Sequence, residues 1–306
     1  MRTTVGRFFV YGGLAMDASE PIRIKQAKTY DEQLNILKNR GIEVTDAQVA
    51  MSTLKRINYY RLTAYGLTLK DPEQRDQYLP GTTFDQLIAL YDFDKKLRQL
   101  IMGVIESIEI AFRTHIAYHH AHTYGPLGYK EAKHFNNAVY HEKFLTSLDR
   151  FFDNNKTELF VSHHQSKYQG VFPIWVTVEV LSLSTLSMLF KNLKNKDKLA
   201  ISKEYYSVPF KYTQSWLHTL TTIRNTCAHH GRLYGKKLTI RPQLFDEMQG
   251  KIQNDGVFAA ILIACKLLNE EERANFIDSL GSLIKEYRHS VDTQHLGFPS
   301  DWKTWL

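Results

Sequence analysis

The stretch Ile223–Arg232, which reads I-R-N-T-C-A-H-H-G-R, sets the organisation of the chain. The apolar residues at its start and just before it recur at intervals of three and four: Trp216, Leu220, Ile223 and Cys227. This is the spacing of one face of an α-helix. The pattern predicts an amphipathic helix that begins near Thr213 and packs against a core in an all-α protein.

A helical wheel separates the two adjacent histidines of this stretch. At about 100° per residue, Asn225 and His229 lie together opposite the apolar stripe, whereas His230 continues the buried line. We therefore predict that His229 acts chemically and that His230 supports the structure. Gly231 is expected to take the left-handed conformation just past the helix end. Arg224, at the edge of the stripe, can bind two oxygens of one phosphate.

The charge around this stretch is one-sided. From Tyr205 to Phe245 the chain has no Asp or Glu, and its cations are Lys211, Arg224, Arg232, Lys236, Lys237 and Arg241. An uncompensated positive field favours a polyanion, so Arg232, Lys236 and Lys237 are predicted RNA contacts. The alternative is that the Arg, Asn and His side chains only cap helix carbonyls or close an ion pair.

Four further stretches accompany the motif in a fixed order: Asn58–Tyr65, Leu97–Arg113, Pro173–Glu179 and Phe298–Trp302. Together with the motif they resemble the Abi bacteriophage-resistance proteins of the AbiD/AbiF type, and R-N-x-x-x-H resembles the signature of HEPN ribonucleases. The resemblance covers roughly Lys25 to the C-terminus. It implies an HEPN-like helical bundle, with Arg224, Asn225 and His229 as the catalytic residues.

The resemblance also implies a function. It points to a toxin-like ribonuclease that halts growth during phage attack, and some relatives are held in check by a small non-coding RNA. The chain departs from the family after the motif. Where R-L-W-N is usual it has Arg232-Leu233-Tyr234-Gly235, so no role carries over to Tyr234 or Gly235.

An Arg/His pair suits RNA cleavage without a metal or other cofactor. A histidine deprotonates the ribose 2′-hydroxyl or protonates the leaving 5′-oxygen, and the arginine stabilises charge on the phosphorane. One chain supplies one convincing pair, whereas acid and base roles require two groups. We therefore predict a homodimer in which Arg224, Asn225 and His229 of both chains line one cleft.

Two other functions remain open. The first is a catalytically silent RNA-binding module in a phage-defence complex. The second is a metal-dependent hydrolase that uses a cluster of histidines on one helix. These are His115, His119, His120 and His122. His119 lies on the apolar stripe of that helix and is predicted to be a core residue.

Composition indicates an ordinary globular protein of 306 residues, 43% hydrophobic, with a net charge of +7. Cys227 and Cys265 cannot build a disulfide framework, and no apolar run reaches the ~18 residues that span a bilayer. We expect a bacterial cytoplasmic protein that does not enter membranes. Residues 1–24 are expected to be an extension of the chain or a disordered arm.

The N-terminal module, residues 25–70, is predicted to be helical. Thr29 with Glu32 and Thr45 with Gln48 form capping-box patterns, and Gly41 ends the first helix. The module also carries two tyrosines beside two arginines: Arg56, Tyr59, Tyr60 and Arg61. These side chains could bind RNA, or the tyrosines could pack the module against the bundle. The turn-rich segment 71–81 is the predicted boundary.

Residues 83–306 are predicted to form the bundle and its C-terminal helices. Thr83 should cap one long helix that ends near Tyr124, with Glu106, Glu109 and Arg113 on its polar side. These three could orient the catalytic residues or form a solvated face. Further helices are predicted over 141–152, 174–193, 257–268 and 270–287, with a loop at His163-His164 and a tail that packs back through Trp302 and Trp305.

Overall fold

The computed structural model describes residues 24–74 and 76–306, and within these ranges the protein is all-α, as the sequence predicts. The helices are α1 (Tyr30–Asn39), α2 (Ala47–Arg56), α3 (Tyr59–Thr63), α4 (Phe84–Tyr124), α5 (Ala138–Asn154), α6 (Leu159–Lys167), α7 (Ile174–Thr177), α8 (Leu183–Asn192), α9 (Asn195–Tyr206), α10 (Phe210–Ala228), α11 (Val257–Cys265) and α12 (Glu270–Glu286). The predicted extension, 1–24, lies outside the described residues except for Ile24.

Helix α4 is the centre of the bundle. It runs for 41 residues, and the Thr83 side chain caps its start by accepting a hydrogen bond from the Gln86 amide, as predicted. Its apolar stripe is buried, and helices α7, α8, α9, α10, α11 and α12 all contact it. Because α10 is one of these neighbours, the motif at the end of α10 lies against the middle of α4.

The N-terminal module has a small core of its own. Leu34, Leu37, Ala50 and Leu54 pack with Phe84 and Leu87 from the first turn of α4. The predicted capping box at Thr29 and Glu32 is present, and Gly41 follows α1 with a left-handed φ of 88°. The predicted cap at Thr45 is wrong by one residue, because the Asp46 carboxylate accepts from the first amides of α2. The division at 71–81 stays a prediction.

Two predicted elements between α4 and α10 differ in the structure, and a third element there was not predicted. The apolar segment 174–193 is two helices, α7 and α8, with a break at Leu181 and a new cap at Ser182. His163 and His164 lie within α6 and not in a loop. The lysine-rich segment after α8 forms α9, which the sequence interpretation missed.

The C-terminal part agrees with the prediction. Helix α11 is completely buried, and α12 packs along α4. The tail folds back so that Trp302 and Trp305 pack against the main core. Within the two described ranges, no helix combines the length and the apolar character needed to cross a membrane.

Candidate functional site

Helix α10 carries the motif and is amphipathic as predicted. It begins at Phe210, three residues before the expected start, because Pro209 can precede the first turn without losing a hydrogen bond. The four residues of its stripe are buried: Trp216, Leu220, Ile223 and Cys227. Burial raises the pKa of the Cys227 thiol to about 12, so this cysteine is not a thiolate nucleophile at neutral pH.

The helix ends before the two adjacent histidines. Its last residue is Ala228, and His229 is the cap residue. The His230 amide donates to the Cys227 carbonyl at 3.0 Å and the Gly231 amide to the Thr226 carbonyl at 2.7 Å. This is the hydrogen-bond pattern of a Schellman motif, in which the chain turns through one left-handed residue.

The left-handed residue is His230, with a φ of 55°, so the prediction for Gly231 is wrong. Gly231 is nevertheless required, because a Cβ there would lie 2.9 Å from Thr226 Cγ2 and 3.0 Å from the Thr226 carbonyl oxygen. The prediction that His230 continues the buried line is also wrong. Since the helix has already ended, His230 leaves the wheel and is exposed.

A cleft of about 780 Å³ lies between α4 and the end of α10. Arg224 lines it from α10 and His230 from the turn that follows α10, while Glu106, Glu109 and Arg113 line it from α4. The predicted catalytic residues Asn225 and His229 are exposed, but they are not part of this lining. The structure therefore brings Arg224 together with His230 and leaves His229 outside.

Arg224 is partly buried at the end of α10. Among the described residues its guanidinium makes neither an ion pair nor a side-chain hydrogen bond. The alternative that this arginine caps carbonyls or closes an ion pair is therefore not what the described contacts show. A half-buried cation without a partner favours an anionic ligand.

Arg113, by contrast, has protein partners at both Nε and Nη2. It pairs with Glu109 on α4, and it donates through Nε to the Val178 carbonyl at 3.0 Å and through Nη2 to the Leu181 carbonyl at 2.8 Å. These carbonyls lie at the break between α7 and α8. Arg113 thus holds the break together and neutralises Glu109, which is a structural use of both residues.

A buried carboxylate that the sequence interpretation missed organises the loop after the motif. Asp94 accepts through Oδ1 from the amides of Leu233 at 3.0 Å and Tyr234 at 2.8 Å. Through Oδ2 it accepts from the Tyr65 hydroxyl at 2.7 Å and pairs with Arg98. Burial raises the pKa of Asp94, against the lowering effect of these partners.

Two reciprocal hydrogen bonds join the N-terminal module to the motif loop. Arg61 donates through Nη1 to the His230 carbonyl at 2.6 Å, and Arg232 donates through Nη1 to the Ala64 carbonyl at 2.6 Å. Both arginines were predicted to bind RNA, which stays a prediction, and each uses one guanidinium nitrogen to donate to a protein carbonyl. The bond from Arg61 helps to hold His230 in its left-handed conformation.

The remaining predicted RNA contacts lie on different surfaces. Arg56, Tyr59 and Tyr60 line a groove on the N-terminal module. Lys236 and Lys237 are exposed, and Lys237 pairs with Asp255 at 3.0 Å. The cationic run is therefore partly compensated from outside its own segment, by Asp255, which also lies 3.8 Å from Arg241.

The histidines of α4 have separate environments. His119, predicted to be a core residue, is partly exposed and contacts Asp197 Oδ1 at 3.1 Å through Nε2. The buried one is His120, whose pKa is lowered to about 4 by burial. Within the part of the chain that the structure describes, no group of three or more His, Cys, Asp or Glu residues could hold a metal ion.

The described residues form an all-α protein in which Arg224 and His230 line one cleft beside a long central helix. The sequence model of the family described as Abi-like protein matches residues 52–235, more than half of the chain. The chain therefore belongs to the Abi-like family, and this membership indicates a role in phage defence by abortive infection. No curated protein and no solved structure matches it.

Proposed function

We propose that the cleft between α4 and α10 cleaves RNA without a metal ion, by attack of the ribose 2′-hydroxyl on the adjacent phosphate. The observation that carries the proposal is the half-buried guanidinium of Arg224, which has no partner among the described residues and lies in a cleft that His230 also lines. Arg224 would bind the scissile phosphate and stabilise the phosphorane. The role of the protein in phage defence would then be that of a growth-arresting endoribonuclease, bound or inhibited by a small RNA.

Two histidines are available for proton transfer in this proposal. His230 lines the cleft with Arg224, and His229 is exposed at the same helix end. Within the described residues neither imidazole makes a side-chain hydrogen bond, so both are free to exchange protons with a substrate. Asn225 is exposed on the face of His229, where a second copy of the chain could bring its own motif to form the homodimeric site.

The test is incubation of purified protein with labelled RNA in EDTA. We expect a 2′,3′-cyclic phosphate and a 5′-hydroxyl end, and no cleavage where the scissile ribose is 2′-deoxy. Arg224→Ala should lower the rate by about 10²- to 10³-fold. His229→Ala and His230→Ala should each lower it by about 10²- to 10⁴-fold where the imidazole transfers a proton.

Two exposed residues on other helices provide matched controls. Arg150→Ala on α5 and His122→Ala on α4 remove the same side-chain types, and both variants should keep the wild-type rate. Cleavage that survives Arg224→Ala, or that EDTA abolishes, would contradict the proposal. Tight RNA binding without cleavage would instead favour the silent binding module. Sedimentation of the wild type tests the dimer.

A further inference from the structure

The groove on the N-terminal module is a second concavity, and it shares no lining residue with the cleft. It has a volume of about 1090 Å³ and is lined by the segment 25–29 before α1, by α1 itself, by the end of α2 and by the start of α3. Its cations are Lys25, Lys28, Arg40, Lys55 and Arg56. Its tyrosines are Tyr30, Tyr59 and Tyr60, and among the described residues Asp31 is the one acidic side chain in the lining.

Most of the positive charge of this N-terminal groove is not neutralised. Lys28 pairs with Glu32 at 2.8 Å, and Arg40 lies 3.9 Å from Asp76. The other three cations make no ion pair with any residue that the structure describes: Lys25, Lys55 and Arg56. A concave surface with several free cations and one carboxylate attracts a polyanion.

The tyrosines divide into two kinds. Tyr59 is partly buried against the small core, and its hydroxyl accepts from Arg40 at 3.4 Å. Tyr60 meets Tyr59 edge to face, with ring centroids 5.7 Å apart, yet Tyr60 is 69% exposed. Packing therefore explains Tyr59, and it does not explain Tyr60. An exposed aromatic ring beside free cations is the arrangement on which unpaired bases stack.

We propose that the N-terminal groove binds single-stranded nucleic acid, with a base stacked on Tyr60 and phosphates held by Lys25, Lys55 and Arg56. A duplex fits less well, because its bases are already stacked on each other. Arg61 is not part of this site, because its guanidinium donates to the His230 carbonyl. The proposal goes beyond the proposed cleavage, since it needs neither Arg224 nor a scissile bond.

The experiment is fluorescence anisotropy of the full chain with a labelled single strand of about twelve nucleotides, a length within the usual range for one such site. The strand carries 2′-O-methyl groups, so it cannot be cleaved through a 2′-hydroxyl. We expect it to bind more tightly than the blunt duplex of the same sequence. Tyr60→Ala should weaken binding about tenfold, and Tyr60→Phe should retain it because stacking requires the ring.

The charged residues have a separate readout. Lys55→Ala combined with Arg56→Ala should reduce the slope of log affinity against log salt by about 0.7 for each phosphate that the protein no longer neutralises. Tyr168→Ala is the matched control for Tyr60→Ala and should keep the wild-type affinity. Tyr168 is 46% exposed, follows α6 directly and does not line the groove. Arg224→Ala should lose less affinity for the strand than Tyr60→Ala does, whatever its effect on cleavage.

Four results would overturn the proposal. The first is that the wild type does not bind the single strand, and the second is that the groove variants bind it with wild-type affinity. The third is that the wild type binds the duplex as tightly as the single strand. The fourth is that Arg224→Ala loses as much affinity for the single strand as Tyr60→Ala does. Thermal melting of each variant establishes that it is folded, which is expected for Tyr60→Ala because the side chain is largely in solvent. A failure to cleave RNA leaves these outcomes unchanged.

Discussion

Replacing Asp94 by Asn should destabilise the protein strongly, although the two side chains have the same shape. The amide oxygen can still accept from the Leu233 and Tyr234 amides, so those two bonds can survive. The amide nitrogen, however, faces the Tyr65 hydroxyl and the guanidinium of Arg98. Tyr65 can rotate its proton away, whereas a guanidinium cannot accept a hydrogen bond.

The expected magnitude follows from the burial of Arg98. The side chain is 7% exposed, so Asp94→Asn leaves a buried cation without its counter-ion, which costs about 3–5 kcal/mol. Asp94→Ala would also orphan two buried amides at about 1–3 kcal/mol each, enough to threaten folding in a protein of ordinary stability. Asparagine is therefore the more informative substitution.

Urea unfolding followed by circular dichroism measures the effect. Arg98→Met in the Asp94→Asn background removes the uncompensated charge and should recover about 1–2 kcal/mol. Glu286→Gln is the control, because its pair with Lys96 at 2.6 Å is exposed and should contribute less than about 1 kcal/mol. An Asp94→Asn protein within about 1 kcal/mol of the wild type, or no recovery in the double variant, would refute the reasoning.

Three further predictions follow from burial, capping and backbone geometry. Burial lowers the folded-state pKa of His120 to about 4, so the free energy of unfolding should fall by up to about 3 kcal/mol as pH drops from about 6.5 to 4. Urea titrations at several pH values measure this dependence, and His120→Phe should flatten it. Arg113→Ala should cost about 3–5 kcal/mol in the same assay, and a loss below about 1 kcal/mol would contradict its structural use. His230→Gly should stabilise the protein by up to about 1 kcal/mol, because glycine adopts a left-handed φ without strain. Gly231→Ala should destabilise it by about 1–3 kcal/mol. A lower melting temperature for His230→Gly than for Gly231→Ala would refute the assigned turn.

The elements that could be predicted from the sequence are those that local residues specify. Helix α4 has a capping threonine, a long run of apolar residues at helical spacing and Gly125 directly after its last residue, so both ends are encoded nearby. Helix α1 has a complete capping box and Gly41. In each case the signal lies within one turn of the boundary that it sets.

The elements that could not be predicted depend on distant partners. Residues 174–193 contain no proline or glycine, yet the helix breaks at Leu181. There Arg113 of α4 donates to the carbonyls of Val178 and Leu181, which the break leaves without α-helical hydrogen bonds. Asp94 was missed although its position carries a signal. It falls in the apolar line of Leu90 and Leu97, and a carboxylate in such a line must find buried donors.

The motif itself shows how one turn changes the interpretation of a spacing. On a continuous helix, His229 would lie about 140° from Arg224 and His230 about 120° away, so neither imidazole would face the guanidinium. A histidine can share the cleft with Arg224 because the helix ends at Ala228 and His230 turns back in a left-handed conformation. The bonds that fix this turn come from Thr226 and Cys227 within the helix and from Arg61 in the N-terminal module. The position of the candidate histidine is therefore a property of the assembled chain, and the module that carries Arg61 is part of the site's support.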